Sequence, residues 1–94
     1  MTLEELHSEK SKVSAFPLFG NIGMVAAIQV PAREKLKEHI TKKPAVLICV
    51  VGEALYEDDN GKRMLLFPGK FVNIEPEIKH WVNGIVDSQL LLIK

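Results

Sequence analysis

Three histidines, His7, His39 and His80, and a single cysteine, Cys49, are the side chains in these 94 residues best suited to chemistry near neutral pH. An imidazole holds a divalent metal through a ring lone pair, or takes and returns a proton. His7 lies in a mixed N-terminal segment and reads as a solvent-exposed side chain. Cys49 sits inside an apolar run and reads as a buried, inert thiol; as the only cysteine it forms no internal disulfide. Asp58-Asp59-Asn60 has the composition of a calcium loop, but a solvated hairpin turn is the simpler reading. Glu75-Pro76-Glu77 reads as a charged bend rather than a carboxylate pair for acid–base work. The chain has no Gly-rich phosphate loop and no serine or cysteine in a nucleophile motif.

The elements that must position these groups are short. Val46-Leu47-Ile48-Cys49-Val50-Val51 stops at Gly52-Glu53. Ala54-Leu55-Tyr56 runs into Asp58-Asp59-Asn60-Gly61, and Lys62-Arg63-Met64-Leu65-Leu66-Phe67 leaves that turn. After Pro68-Gly69 come Phe71-Val72-Asn73-Ile74, the Glu75–Glu77 bend, and a strand from Ile78 through His80 to Trp81-Val82. Such runs, rich in β-branched residues and punctuated by Gly, Pro and Asn-Gly, read as successive antiparallel strands. Asn60-Gly61 predicts a type I′ hairpin, and Asp87-Ser88 predicts a last hairpin before Leu90–Ile93. An uninterrupted apolar strand needs cover on both faces, so Val46, Ile48 and Val50 on one side and Leu47, Cys49 and Val51 on the other are both expected to be buried. Trp81, beside His80, is expected on the opposite face, in packing or in a subunit interface.

Upstream, Thr2 and Glu5 have capping-box spacing and predict one or two helical turns from Thr2 to Ser8, with Leu3 and Leu6 on one face. Ser11 to Phe19 contains Pro17, which makes it an edge or bent strand. Gly20–Gly23 is a turn, and Met24 to Val30 is a strand closed by Pro31. Pro31 to Ile40 has two readings. Its helix formers, with Leu36 and Ile40 four apart, suit a helix; as a loop and strand it would place Lys35, Lys37, His39 and Thr41 on one face and Leu36, Glu38 and Ile40 on the other. The strand reading is preferred.

Ninety-four residues make one domain, and an apolar content of 47% suffices for a core without disulfides. Twelve basic and twelve acidic residues leave no net charge. A phosphate-backbone binder normally carries a basic excess, so nucleic acid is not an expected partner. No apolar run approaches the roughly 20 residues of a membrane helix, and the N-terminus lacks a signal-peptide pattern. A cytoplasmic protein without membrane association is the expectation.

Counted back from Gly52, Ala45, Thr41, His39 and Arg33 fall at particular intervals; counted forward from Gly69, so do Glu75, Glu77 and His80. In this rhythm, from about Val25 to Ile93, the chain resembles the cupins (RmlC-like). Their first motif is a glycine, His-x-His, a glutamate and a second glycine; their second is a glycine, Pro-x-Gly, then His and Asn. The resemblance puts His39 and His80 at two histidine positions, Thr41 at the other histidine, Ala45 at the glutamate, and Arg33 and Glu77 at glycines. Pro76 is one residue out of step with the motif proline, and Asn83 precedes the asparagine position, which falls on Gly84.

The resemblance implies an all-β fold: an antiparallel barrel or double-stranded β-helix (jelly roll), core about 23–94, with a short N-terminal helix or extension. It also implies that His39 and His80 face one lumen with Thr41 beside them. The implied function is small-molecule binding by His39, Thr41 and His80. Two alternatives stand beside it: a metal-dependent dioxygenase or isomerase using His39 and His80, and a non-catalytic interaction protein working as a homodimer. With Thr41 and Ala45 replacing strong ligands, a divalent metal (Zn, Fe, Mn or Ni) would be held weakly. A homodimer is expected in any case, because the apolar faces exceed what one small lumen absorbs.

Overall fold

The computed structural model describes residues 1–18 and 25–94. The expected Gly20–Gly23 turn and Met24 lie outside the described residues. Nine strands are present among those described: β1 (Ser14–Pro17), β2 (Val25–Val30), β3 (Lys35–His39), β4 (Ala45–Val51), β5 (Ala54–Asp58), β6 (Arg63–Leu66), β7 (Phe71–Ile74), β8 (His80–Gly84) and β9 (Ser88–Ile93). They form two antiparallel sheets, ordered β1-β2-β9-β4-β7 and β3-β8-β5-β6. This is the expected jelly roll. The sheets already include β1, ahead of residue 23.

Side chains alternate along each strand, and one parity faces the space between the sheets. Ala45, Leu47 and Cys49 of β4, Val72 and Ile74 of β7, and Ala54 and Tyr56 of β5 are buried there. Fully burying a Val, Leu or Ile side chain contributes about 1.5–3 kcal/mol, so Leu47, Val72 and Ile74 each stabilise this layer. The opposite parity of β4 does not reach that state: Val46 and Ile48 are half-buried, while Val50 and Val51 are exposed in the single chain. A bulge between Cys49 and Val51 breaks the alternation there. Cys49 is buried, and burial pushes its thiol pKa up.

Pro31–Ile40 is a loop and a strand. The helix that local propensity suits is overridden by pairing of β3 with β8. The expected strict alternation is nevertheless wrong. Leu36 pairs with Val82 and His39 with His80, so three steps on β3 oppose two on β8. This bulge puts Leu36 and His39 on the same, inward side, where a period of two would separate them.

Two predicted turns take other forms. Gly61 has φ +82° but Asn60 has no positive φ, so the turn is not type I′. Gly61 N–H donates to the Asp58 carbonyl at 3.1 Å, and the Asp58 carboxylate accepts from the Asn60 and Lys62 N–H groups. The acidic cluster thus caps an exposed turn. Asp87-Ser88 is not a hairpin, because β8 and β9 lie in different sheets. The chain crosses over there instead, held by Ile85 N–H and Ser88 Oγ donating to the Glu53 carbonyl. At that corner a Cβ on Gly84 would overlap the Pro31 carbonyl, which is why β8 ends in glycine.

The N-terminal helix shrinks to a 3-10 turn, Glu4–Leu6. Its capping box is present: Thr2 N–H donates to Glu5 Oε1 at 3.0 Å and Glu5 N–H to Thr2 Oγ1 at 3.4 Å. His7, expected in solvent, is buried, because its Nδ1 meets Ser14 Oγ at 2.6 Å on β1. Gln29 Nε2 donates to the Glu9 and Lys12 carbonyls and ties the same segment to β2. No helix among the described residues is long and apolar enough to cross a membrane.

Candidate functional site

The β3 bulge and the β3–β8 pairing bring two side chains face to face. The His39 and His80 rings lie 4.4 Å apart between centroids, edge to face at 63°. His80 is 1% exposed; His39 is exposed and stands at the rim. Each ring is oriented by the backbone carbonyl two residues before it. His39 Nδ1 lies 2.7 Å from the Lys37 carbonyl and His80 Nδ1 lies 3.3 Å from the Ile78 carbonyl. A carbonyl only accepts, so Nδ1 carries the proton in each case, and in the neutral ring Nε2 is left with a bare lone pair.

Both rings line a cavity of about 330 Å³ between the sheets. Ala26, Ile28, Leu47, Ile74 and Leu92 of the five-stranded sheet, with Leu36 of β3, make its walls apolar. Lys94, just beyond β9, completes the lining with Ala15. Tyr56 backs the site from beneath: its ring stacks on His80 at 5.9 Å, and its hydroxyl donates to Asp58 Oδ2 at 3.1 Å. Burial and that carboxylate push the Tyr56 pKa up. Burial lowers the His80 pKa, with smaller lowering from His39 and Lys94 against opposition from the Ile78 carbonyl and Asp58.

Of the expected site residues, His39 and His80 are brought together. Thr41 is buried elsewhere: it is absent from the cavity lining, its Oγ1 has no hydrogen-bond partner, and its carbonyl accepts from Glu77 N–H. Ala45, at the glutamate position of the resemblance, is buried and contributes only a methyl group. A divalent metal does not fit this donor set. Two imidazoles converge without a carboxylate or third ring, and no group of three or more His, Cys, Asp or Glu suited to a metal exists among the described residues. Asp58 is committed to Tyr56 and to the turn. Sequence reasoning did not anticipate Tyr56, Asp58 or Lys94; alternation from Ala54 places Tyr56 and Asp58 on inward positions, whereas Lys94 lies beyond β9 and is exposed.

Two further residues bear on identity. Arg33 (φ +68°) and Glu77 (φ +66°) are the non-glycine residues with left-handed backbone among those described. They are the positions where the motifs have glycine, so the motif spacing corresponds to real backbone geometry. Among solved structures, a cupin superfamily protein from Desulfitobacterium hafniense matches with a TM-score of 0.83 at 16% identity, over 98% of this chain and 84% of that one. The fold is that of the cupins. An RmlC-like cupin family protein with a double-stranded β-helix from Methanocaldococcus jannaschii matches with a TM-score of 0.75 at 16% identity, over 94% of this chain and 84% of that one. A predicted oxalate decarboxylase from Thermotoga maritima gives a TM-score of 0.65 at 17% identity, over 73% of this chain and 62% of its own. No family model matches the sequence, and no curated protein does.

Proposed function

We propose that this cupin domain binds a small, largely apolar molecule between its sheets, with His39 and His80 as the polar anchors. One observation carries the reading: two backbone-oriented imidazoles meet at a cavity of about 330 Å³ whose other lining residues, Lys94 apart, are apolar. Ligand pockets combine apolar walls with a few convergent polar groups in this way. An engineered apolar cavity of about 150 Å³ admits benzene, so the space here suits a ring or short chain with a polar head. The enzyme alternative, a metal-dependent dioxygenase or isomerase, asks for ligands that Thr41 and Ala45 do not supply.

The test is ligand-observed NMR with a pool of small alcohols, acids and amides, followed by titration of the imidazole C–H signals. The wild type is expected to bind members of the pool. His39→Ala/His80→Ala is expected to lose that binding while its circular dichroism stays that of the wild type. Thr41→Val, which removes an unpartnered buried hydroxyl, is expected to bind as the wild type does. Equal binding by the double histidine variant would overturn the proposal. A different observation favours a second reading as an interaction protein: the outer face of the five-stranded sheet exposes Phe16, Phe71 and Ile93.

A further inference from the structure

We infer that the cavity takes an anion: a small aliphatic carboxylate, its hydrocarbon body between the sheets and its charge at the Lys94 ammonium. This rests on the cavity being a ligand site and adds the class of ligand. Of the side chains lining the cavity, that of Lys94 alone carries a fixed charge, and no Asp or Glu is among them. Lys94 directly follows β9 and lines the cavity while remaining exposed, which places it at the rim. The ammonium is close enough to contribute to the lowered pKa of His80.

A carboxylate entering from the rim meets a cation before it meets apolar wall. An alkylammonium would meet like charge at the same place. The Nε2 lone pairs of His39 and His80 then accept hydrogen bonds from water or from a hydroxyl carried by the ligand. The acidic groups near the site lie elsewhere: Asp58 beneath Tyr56, and Glu75 and Glu77 at an exposed bend.

Three probes of one chain length separate the possibilities: hexanoate, 1-hexanol and hexylamine, each titrated while the imidazole C–H signals of the wild type are followed. Hexanoate is expected to bind at least tenfold tighter than 1-hexanol, and hexylamine weakest. Lys94→Met should abolish the preference, so that hexanoate and 1-hexanol bind that variant alike. Lys70→Met removes the same charge from an exposed site over Phe67 and should keep the preference. Equal affinities for hexanoate and 1-hexanol, or a preference that survives Lys94→Met, overturn the charge assignment while leaving the cavity a ligand site. If none of the three moves the imidazole signals, the cavity reading falls with it.

Discussion

Burial disfavours the charged form of a titratable ring, and it acts on His80 between the sheets and on His7 under the N-terminal segment. Burial lowers the His7 pKa from 6.5, and the Lys10 ammonium lowers it further; the His80 pKa is lowered chiefly by burial. Both folded values lie below the unfolded one, so the unfolded chain binds more protons in acid. Their contribution to stability is complete above about pH 6.5 and is lost as the pH falls from there through the folded values. The denaturant midpoint is therefore expected to drop between pH 7.5 and 5.5, and His7→Gln and His80→Gln should each flatten that slope. A double variant with the wild-type slope would show that neither ring is depressed. His80 was legible in the sequence because motif spacing marks it. The burial of His7 was not, because it depends on a contact with Ser14 that no local pattern encodes.

Strands were legible wherever apolar runs ended at Gly, Pro or Asn-Gly, since those residues end pairing for local reasons. What alternation alone misses is a shift in register. The β3 bulge turns His39 to the side of Leu36, and only the partner strand β8 determines it. The Asp87-Ser88 crossover was misread for the same reason: a turn signal does not say which sheet the next strand joins. The motif positions of Arg33 and Glu77 did carry information, as their left-handed backbone shows. A side chain in that region costs about 1–2 kcal/mol, partly offset because glycine loses more chain entropy on folding, about 0.5–1 kcal/mol. Arg33→Gly and Glu77→Gly are thus each expected to stabilise by up to about 1 kcal/mol. In a domain this size that is a rise of about 4–8 °C in Tm per kcal/mol, read by calorimetry. A fall in Tm for both would mean that interactions of these side chains outweigh the strain.

The two sheets differ on their outer faces, and the difference bears on assembly. The four-stranded sheet presents a polar lattice: Glu57 accepts from Trp81 Nε1 and Asn83 Nδ2 and pairs with Arg63, and Lys35 lies over the Trp81 ring. The five-stranded sheet places Phe16, Ala27, Leu91, Ile48 and Phe71 in one register row across all its strands, with Val25, Ile93, Val46 and Asn73 in the row beside it. Neither row holds a charge. A second copy of the same face meets no like charge, which is the condition a self-complementary two-fold interface must satisfy. A standard interface buries about 800 Å² per partner, about one-seventh of the 5769 Å² that the chain exposes. Closure would also cover the outer parity of β4, whose apolar run calls for shelter on both sides. Sedimentation velocity at about 20 µM is expected to give a dimer, and Ile48→Lys/Phe71→Lys a folded monomer. Both substitutions lie away from the cavity lining, so ligand binding should persist in that monomer. A wild type that sediments only as a monomer would leave the apolar rows without a self-partner.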